Sequence, residues 1–174
     1  MSIHTFVYED AQEASAACAR RTLDILQETL AGESYATLAI SGGSTPKLMY
    51  AELAKAHFDW SKVHLFWVDE RGVAPTDSQS NFKLAKEHLI DPGHFPGRNV
   101  HRIQAELAPD IAARLYDEDI REFFALPSGE FPHFDIIYQG MGPDAHTASL
   151  FPGEPLIDDH ENIAEAIWSE PMTQ

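Results

Sequence analysis

The sequence predicts an α/β protein, an open and mostly parallel sheet with helices on both faces, and three observations carry that prediction. Apolar runs without alternation at residues 35–41, 63–68 and 134–139 read as strands covered on both sides. Segments of helical period separate them. Each run ends in glycine or in a burst of charge, as a buried strand does where it opens into a loop. Parallel neighbours need a crossover long enough to hold a helix, so this alternation selects a parallel sheet.

In chain order, residues 3–8 are a short strand candidate and residues 10–31 a helix, with Ala14, Cys18, Ile25, Leu26 and Leu30 recurring at helical spacing. Cys18 then falls on the apolar side of that helix. The strand YATLAIS breaks at Gly42-Gly43, after which Thr45 reads as an N-cap and Pro46 as the first residue of a helix over 46–56, with Leu48, Tyr50 and Leu53 available for packing. The strand VHLFWV ends in Asp69-Glu70-Arg71; a polar loop reaches Ser80, and Asn81 is placed to cap a helix running through Leu89. Pro and Gly punctuate 92–97, residues 99–103 form a short strand, and 109–125 a helix with Ala112, Tyr116, Ile120 and Phe123 on one side. The third buried strand, FDIIYQ, runs into Gly140-Met141-Gly142. The apolar segment 163–168 is too short for its period to separate strand from helix. No repeat, low-complexity tract or composition shift marks a linker, so residues 1–174 read as one domain.

Composition narrows the function. Apolar residues make up 44% and charged residues 23% of 174, which supports a sizeable core and gives no case for disorder. Twelve Lys plus Arg face 28 Asp plus Glu, a formal charge of -16 that repels phosphate backbones and anionic lipid, so neither nucleic acid nor membrane is expected as a partner. A single Cys18 makes no internal disulfide and no Cys-spaced zinc set, which fits a reducing compartment. No run is long enough to span a membrane, and the first ten residues lack the layout of a secretory signal; the expected location is cytoplasmic.

In an open parallel sheet, ligands bind beyond the carboxyl ends of the strands, and three polar segments gather there. Ser41-Gly42-Gly43-Ser44-Thr45 offers backbone N–H groups unhindered by Cβ, hydroxyls and a helix N-terminus, an anion pocket suited to phosphate; its alternative is a tight turn that only permits close packing. Neither nucleotide-binding glycine fingerprint is present. Asp69-Glu70-Arg71 supplies an acid and a guanidinium that can fork onto a phosphate or carboxylate, or polarise a carbonyl; its alternative is a solvated ion pair. With only 12 cations in the chain, an Arg at this edge suits an anionic ligand. Finally, Gly142 to Ser149 sets an imidazole, His146, two residues after Asp144 and before a helix-like stretch at 147–151. An imidazole of ordinary pKa, roughly 6.5, can take and return a proton at neutral pH. The other histidines read as structural or solvated, and no G-x-S-x-G elbow or reactive Cys competes as a nucleophile, which leaves water.

These residues resemble the 6-phosphogluconolactonase family: ISGGSTP at 40–46, FWVDER at 66–71 with Ser80-Asn81 downstream, and GMGPDAHTASLFPG at 140–153, in the family's order. The related glucosamine-6-phosphate deaminases have a different sequence at DER and after the His. The resemblance implies a Rossmann-like sheet and hydrolysis of 6-phospho-D-glucono-1,5-lactone to 6-phospho-D-gluconate in the oxidative pentose phosphate pathway, with no cofactor. It implies His146 as general base, Asp69 and Arg71 as active-site acid and cation, and Ser41, Gly42, Gly43, Ser44 and Thr45 as the phosphate-facing loop, with Arg71 and Gly142 also at the substrate. Ala145 stands where many relatives have Gly, and a positive φ there would strain it. Family members continue beyond the point where this sequence stops, so the C-terminal portion of the fold is expected to be missing, 163–168 to match a strand, and an uncovered edge to be open to self-association.

The expected mechanism has His146 deprotonating water as it attacks the lactone C1, Arg71 or backbone N–H groups holding the oxyanion, and the imidazolium protonating the ring oxygen. Asp144 is a candidate to orient the imidazole; Asp69 can hold Arg71 or a sugar hydroxyl. Two alternatives are an amino-sugar-phosphate isomerase or deaminase with Asp69 as a carbon base, and a non-catalytic sugar-phosphate-binding fragment.

Overall fold

Among residues 3–168, which the computed structural model describes, β1 (Ala36–Ile40), β2 (Val63–Trp67), β3 (Val100–His101) and β4 (Ile136–Ile137) form one sheet in the spatial order β3-β2-β1-β4. Every pairing is parallel, with Ile40 opposite Trp67, Phe66 opposite His101 and Ala39 opposite Ile137. Order runs outward from β1 in both directions, so the chain reverses its winding between β1 and β4, where a crevice opens in folds of this class.

The period-2 alternation of the strands divides the core into two layers. Ala36, Leu38 and Ile40 of β1 and Val63, Leu65 and Trp67 of β2 share one face, covered by α1 (Ala11–Leu30) and α2 (Ser44–Ala54) through Ala19, Leu26, Met49, Tyr50 and Leu53. The same cluster takes in Ala85, Leu89 and Ile90 from α3 (Asn81–Ala85) and the π-helical turn Lys86–Ile90, which leads into α4 (Asp91–Gly93). Ala39 and Phe66 face the other way, onto Tyr116 and Ile120 of α5 (Pro109–Phe123). Helices therefore cover both faces. The Tyr116 hydroxyl accepts from the Trp67 N–H at 2.7 Å and donates to the Trp67 carbonyl at 2.8 Å, pinning α5 to the end of β2. Asp135 fixes the register of β4: its carboxylate accepts from the Thr37 N–H and hydroxyl, each at 2.8 Å.

Several expectations are corrected. Residues 3–8 carry no regular structure, and Ile3, Phe6 and Val7 are exposed; a strand exists only where a ladder partner does, and none of the four strands offers one. The buried face of α1 is Ser15, Ala19, Thr22 and Leu26, which turns Cys18 outward to an exposed position. Small Ser15 and Ala19 line the face toward α2, and the Ser15 hydroxyl reaches the Thr45 carbonyl at 3.5 Å, a contact that apolar counting misses. The cap of α2 is Gly43 and that of α3 is Ser80, whose hydroxyl accepts from the Lys83 N–H at 3.1 Å. Residues 134–139 are not buried on both faces: β4 is an edge strand, and Ile137 is 52% exposed. The stretch 147–151 is a tight turn closed by a Thr147–Leu150 bridge, with Ala148 at φ 51°, outside helical geometry. Residues 163–168 are irregular: Ile163 packs on the α5 layer, its N–H bonds the Asp117 carboxylate at 3.2 Å, and Trp168 is exposed.

Candidate functional site

Three loops leave the carboxyl edge of β1, β2 and β4, and parallel register brings them side by side. The Val68 N–H donates to the Ile40 carbonyl at 2.8 Å and the Tyr138 N–H to the Ala39 carbonyl at 2.8 Å, so all three depart at nearly one level. Asp69 then joins them. Its Oδ1 accepts from the Ser41 hydroxyl at 3.2 Å and its Oδ2 from the Ser149 hydroxyl at 3.1 Å. One carboxylate thus ties the loop after β1 to the loop that carries His146.

The first loop is shaped by what its glycines leave out. A Cβ on Gly42 would lie 1.7 Å from Asn81 Oδ1, and Asn81 is itself buried, with Nδ2 donating to the Asp69 carbonyl at 3.0 Å. Gly43 sits at φ 113° and ψ 175°, a region that essentially only glycine occupies. This turn delivers the chain into α2, whose first N–H groups have no acceptor within the helix, around exposed Ser44 and Thr45. Pro46 falls in that first turn, where its missing N–H costs no helix bond. Ser41, by contrast, is buried, and Tyr50 donates to its carbonyl from beneath; burial raises the Tyr50 phenol well above its ordinary range and keeps it a donor.

Arg71 is exposed, and among the described residues its guanidinium has no ion pair within 4 Å. Glu70 accepts from four donors at the start of α3 and in its own loop: Arg71 N–H (2.8 Å), Asn81 N–H (2.7 Å), Phe82 N–H (2.8 Å) and Ser80 hydroxyl (3.0 Å).

In the third loop, His146 Nδ1 and Asp144 Oδ1 are 2.6 Å apart, and that hydrogen bond holds the Asp144 carboxyl below the usual carboxylate range. The loop curls tightly: Gly142 N–H donates to the His146 carbonyl at 2.9 Å, and a Cβ on Gly142 would lie 2.2 Å from His146 Cε1. The Phe151 ring lies 5.0 Å from the imidazole, leaving the His146 side chain 22% exposed. Ala145 has φ 66°, the left-handed conformation that disfavours any Cβ. Two open cavities of about 410 and 440 Å³ lie beside α5 and are lined by none of these loop residues.

The structure therefore brings Ser41 and Asp69 together, and Asp144 against His146. It draws no hydrogen bond between His146 and either Asp69 or Arg71. Reading the sequence missed Glu70, Asn81 and Ser149 as organisers of the rim. All three lie inside the quoted motifs, but only the folded backbone shows which donors face them.

A family model described as "Glucosamine-6-phosphate isomerases/6-phosphogluconolactonase" matches residues 9–174. The chain is 39% identical over 148 residues to the 6-phosphogluconolactonase of Nostoc sp., a match covering 82% of this chain, and 38% identical over 157 residues to that of Treponema pallidum, covering 88%. It spans 62% and 63% of the lengths of those two relatives. The solved 6-phosphogluconolactonase of Trypanosoma brucei superposes with a TM-score of 0.80 at 28% identity, over 97% of this chain and 72% of that one.

Proposed function

The chain belongs to the glucosamine-6-phosphate isomerase/6-phosphogluconolactonase family, and on that premise we propose that it hydrolyses 6-phospho-D-glucono-1,5-lactone to 6-phospho-D-gluconate. The observation that carries the reading is the 2.6 Å contact between His146 Nδ1 and Asp144. A carboxylate accepting from Nδ1–H keeps the proton there and leaves Nε2 as the basic nitrogen. Nε2 takes a proton from water as the oxygen attacks C1, the carbonyl carbon becomes tetrahedral, and the imidazolium then gives that proton to the departing ring oxygen. General acid–base help of this kind is worth roughly 10²- to 10⁴-fold.

The substrate's phosphate is assigned to the loop Gly42-Gly43-Ser44-Thr45 at the start of α2, with Arg71 and Gly142, from the neighbouring loops, as its further contacts. Exposed N–H groups and a guanidinium with no ion pair among the described residues supply the donors that a dianion requires. Ser41 and Asp69 act from below, linking this loop to the one that carries the base. The lactonase reading is favoured over an isomerase or deaminase because the Nostoc and Treponema pallidum relatives, at 39% and 38% identity, are both 6-phosphogluconolactonases. A cytoplasmic setting is part of the proposal; among the described residues, no helix is long and apolar enough to cross a membrane.

Substrate choice is the test. Acid release from the lactone should exceed its spontaneous hydrolysis in proportion to protein added, while glucosamine 6-phosphate should yield no ammonia. Ammonia release without lactone hydrolysis would replace this function with the deaminase one. Tight 6-phosphogluconate binding without turnover of either compound would leave a binding fragment.

A further inference from the structure

We infer that Glu70 is a positioning residue for the anion site: it sets the backbone of Asp69 and Arg71, and so the place from which the Arg71 guanidinium meets a phosphate. The identity of the ligand rests on the lactonase reading; the placement of Arg71 does not.

Glu70 lies between Asp69 and Arg71 in the chain, and its carboxylate bonds neither side chain but four donors at the start of α3 and in its own loop. Oε1 accepts from the N–H groups of Arg71 and Asn81, at 2.8 and 2.7 Å; Oε2 accepts from the Phe82 N–H and the Ser80 hydroxyl, at 2.8 and 3.0 Å. Four donors on one carboxylate occupy nearly its full accepting capacity, and two of them are the first N–H groups of α3, where a negative charge is favoured. The anchor is rigid from below, because Ser80 and Asn81 are buried and the Ser80 hydroxyl also caps the helix at Lys83. Asn81 closes the circuit by donating from Nδ2 to the Asp69 carbonyl at 3.0 Å. Residues 69 and 71 are thus stapled to α3 on either side of Glu70.

What makes this more than a helix cap is the state of Arg71. Its side chain has no ion pair among the described residues; its backbone is held by its own N–H on Glu70 and, within the loop, by the Val73 N–H donating to its carbonyl at 2.7 Å, so Glu70 is what ties it to α3. A free guanidinium on a loose loop would lose entropy on meeting a ligand; one on a fixed backbone loses less. The nine residues from Gly72 to Ser80 contain no helix or strand, so without the staple nothing regular holds residue 71.

The test is a double-mutant cycle between Glu70 and Arg71, read by calorimetric titration with inorganic phosphate and with 6-phospho-D-gluconate. In Glu70→Gln, an amide nitrogen must face one pair of donors, so at least one backbone N–H at the staple loses its acceptor. Affinity for both probes should fall roughly 5- to 50-fold, with the circular dichroism spectrum unchanged. In an Arg71→Ala background the same Glu70→Gln change should weaken binding less than about 2-fold, because its route of action is gone. Where turnover is measurable, KM should rise while kcat moves less than about 3-fold. If Glu70→Gln fails to fold, Glu70→Asp, which keeps the charge but retracts it by one methylene, enters the same cycle. Equal losses in both backgrounds, or unchanged affinity in folded Glu70→Gln, would overturn the assignment. The phosphate titration keeps this outcome separate from that of the lactonase assay, since it requires no turnover.

Discussion

Replacing Gly42 by Ala would set a methyl group 1.7 Å from Asn81 Oδ1 and 2.4 Å from its Cγ. Asn81 is only 5% exposed and cannot swing freely; to make room it must give up its bond to the Asp69 carbonyl and push into the packing around the start of α3. The lost hydrogen bond costs about 0.5–1.5 kcal/mol and the overpacking about 1–3 kcal/mol, so Gly42→Ala should destabilise the fold by about 2–4 kcal/mol. For a chain of this size that corresponds to a fall in Tm on the order of 5–15 °C. The cost arises from one neighbour, and so it should depend on that neighbour. In an Asn81→Ala background the space is open, and the added cost of Gly42→Ala should drop below about 1 kcal/mol, a coupling of about 1–3 kcal/mol. Urea unfolding of the four proteins measures it. If Gly42→Ala costs the same with and without the Asn81 side chain, the close approach of the two loops does not set the requirement for glycine.

Other consequences follow from the same rim and from the far side of the sheet. Ala145→Gly relieves a Cβ at φ 66° but adds freedom to the unfolded chain; the net should be a gain of up to about 1 kcal/mol in unfolding experiments, with lactonase kcat at least maintained. Asp144→Asn should lower kcat on the order of 10²-fold with little change in KM, since the amide no longer holds the proton on Nδ1; equal kcat would remove the orienting role. His64 is held below its usual pKa of 6.5 first by burial, then by His101 and Arg98; its Nδ1 meets His101 Nε2 at 3.1 Å, and His101 in turn pairs with Asp119 at 3.0 Å. Folding therefore disfavours the proton on His64. The unfolded chain binds more protons as pH drops below about 6.5, and stability should decline through that window. His64→Gln should flatten the decline in urea unfolding followed between pH 7.5 and 5; an unchanged slope would place its source elsewhere.

The sheet centre was legible because β1 and β2 are continuous apolar runs, a pattern that only two-sided burial explains. Residues 3–8 have a similar apolar-rich composition but pair with none of the four strands, and strand pairing is not a local property. On α1, Leu26 and Leu30 pack on the core as their spacing predicts, but Cys18 does not, because Ser15, Ala19 and Thr22 take the buried face through fit and hydrogen bonds: the Thr22 hydroxyl reaches the Cys18 carbonyl at 2.9 Å and also meets the Tyr138 hydroxyl. At the site, His146, Asp69 and Arg71 announce themselves by chemistry in loops that the strand pattern brings to one edge. Glu70 does not, since within a charged triplet nothing in the sequence tells which side chain turns inward. Ser149 is equally silent until the turn at Ala148 aims it at Asp69.

The most direct measurement is the rate of 6-phospho-D-glucono-1,5-lactone hydrolysis, corrected for the spontaneous reaction, by the wild-type chain and by His146→Gln. The expected result is protein-dependent turnover that falls roughly 10²- to 10⁴-fold in kcat on substitution, while affinity for 6-phospho-D-gluconate stays within about 3-fold. A variant as fast as the wild type, or a wild type no faster than buffer, would contradict it.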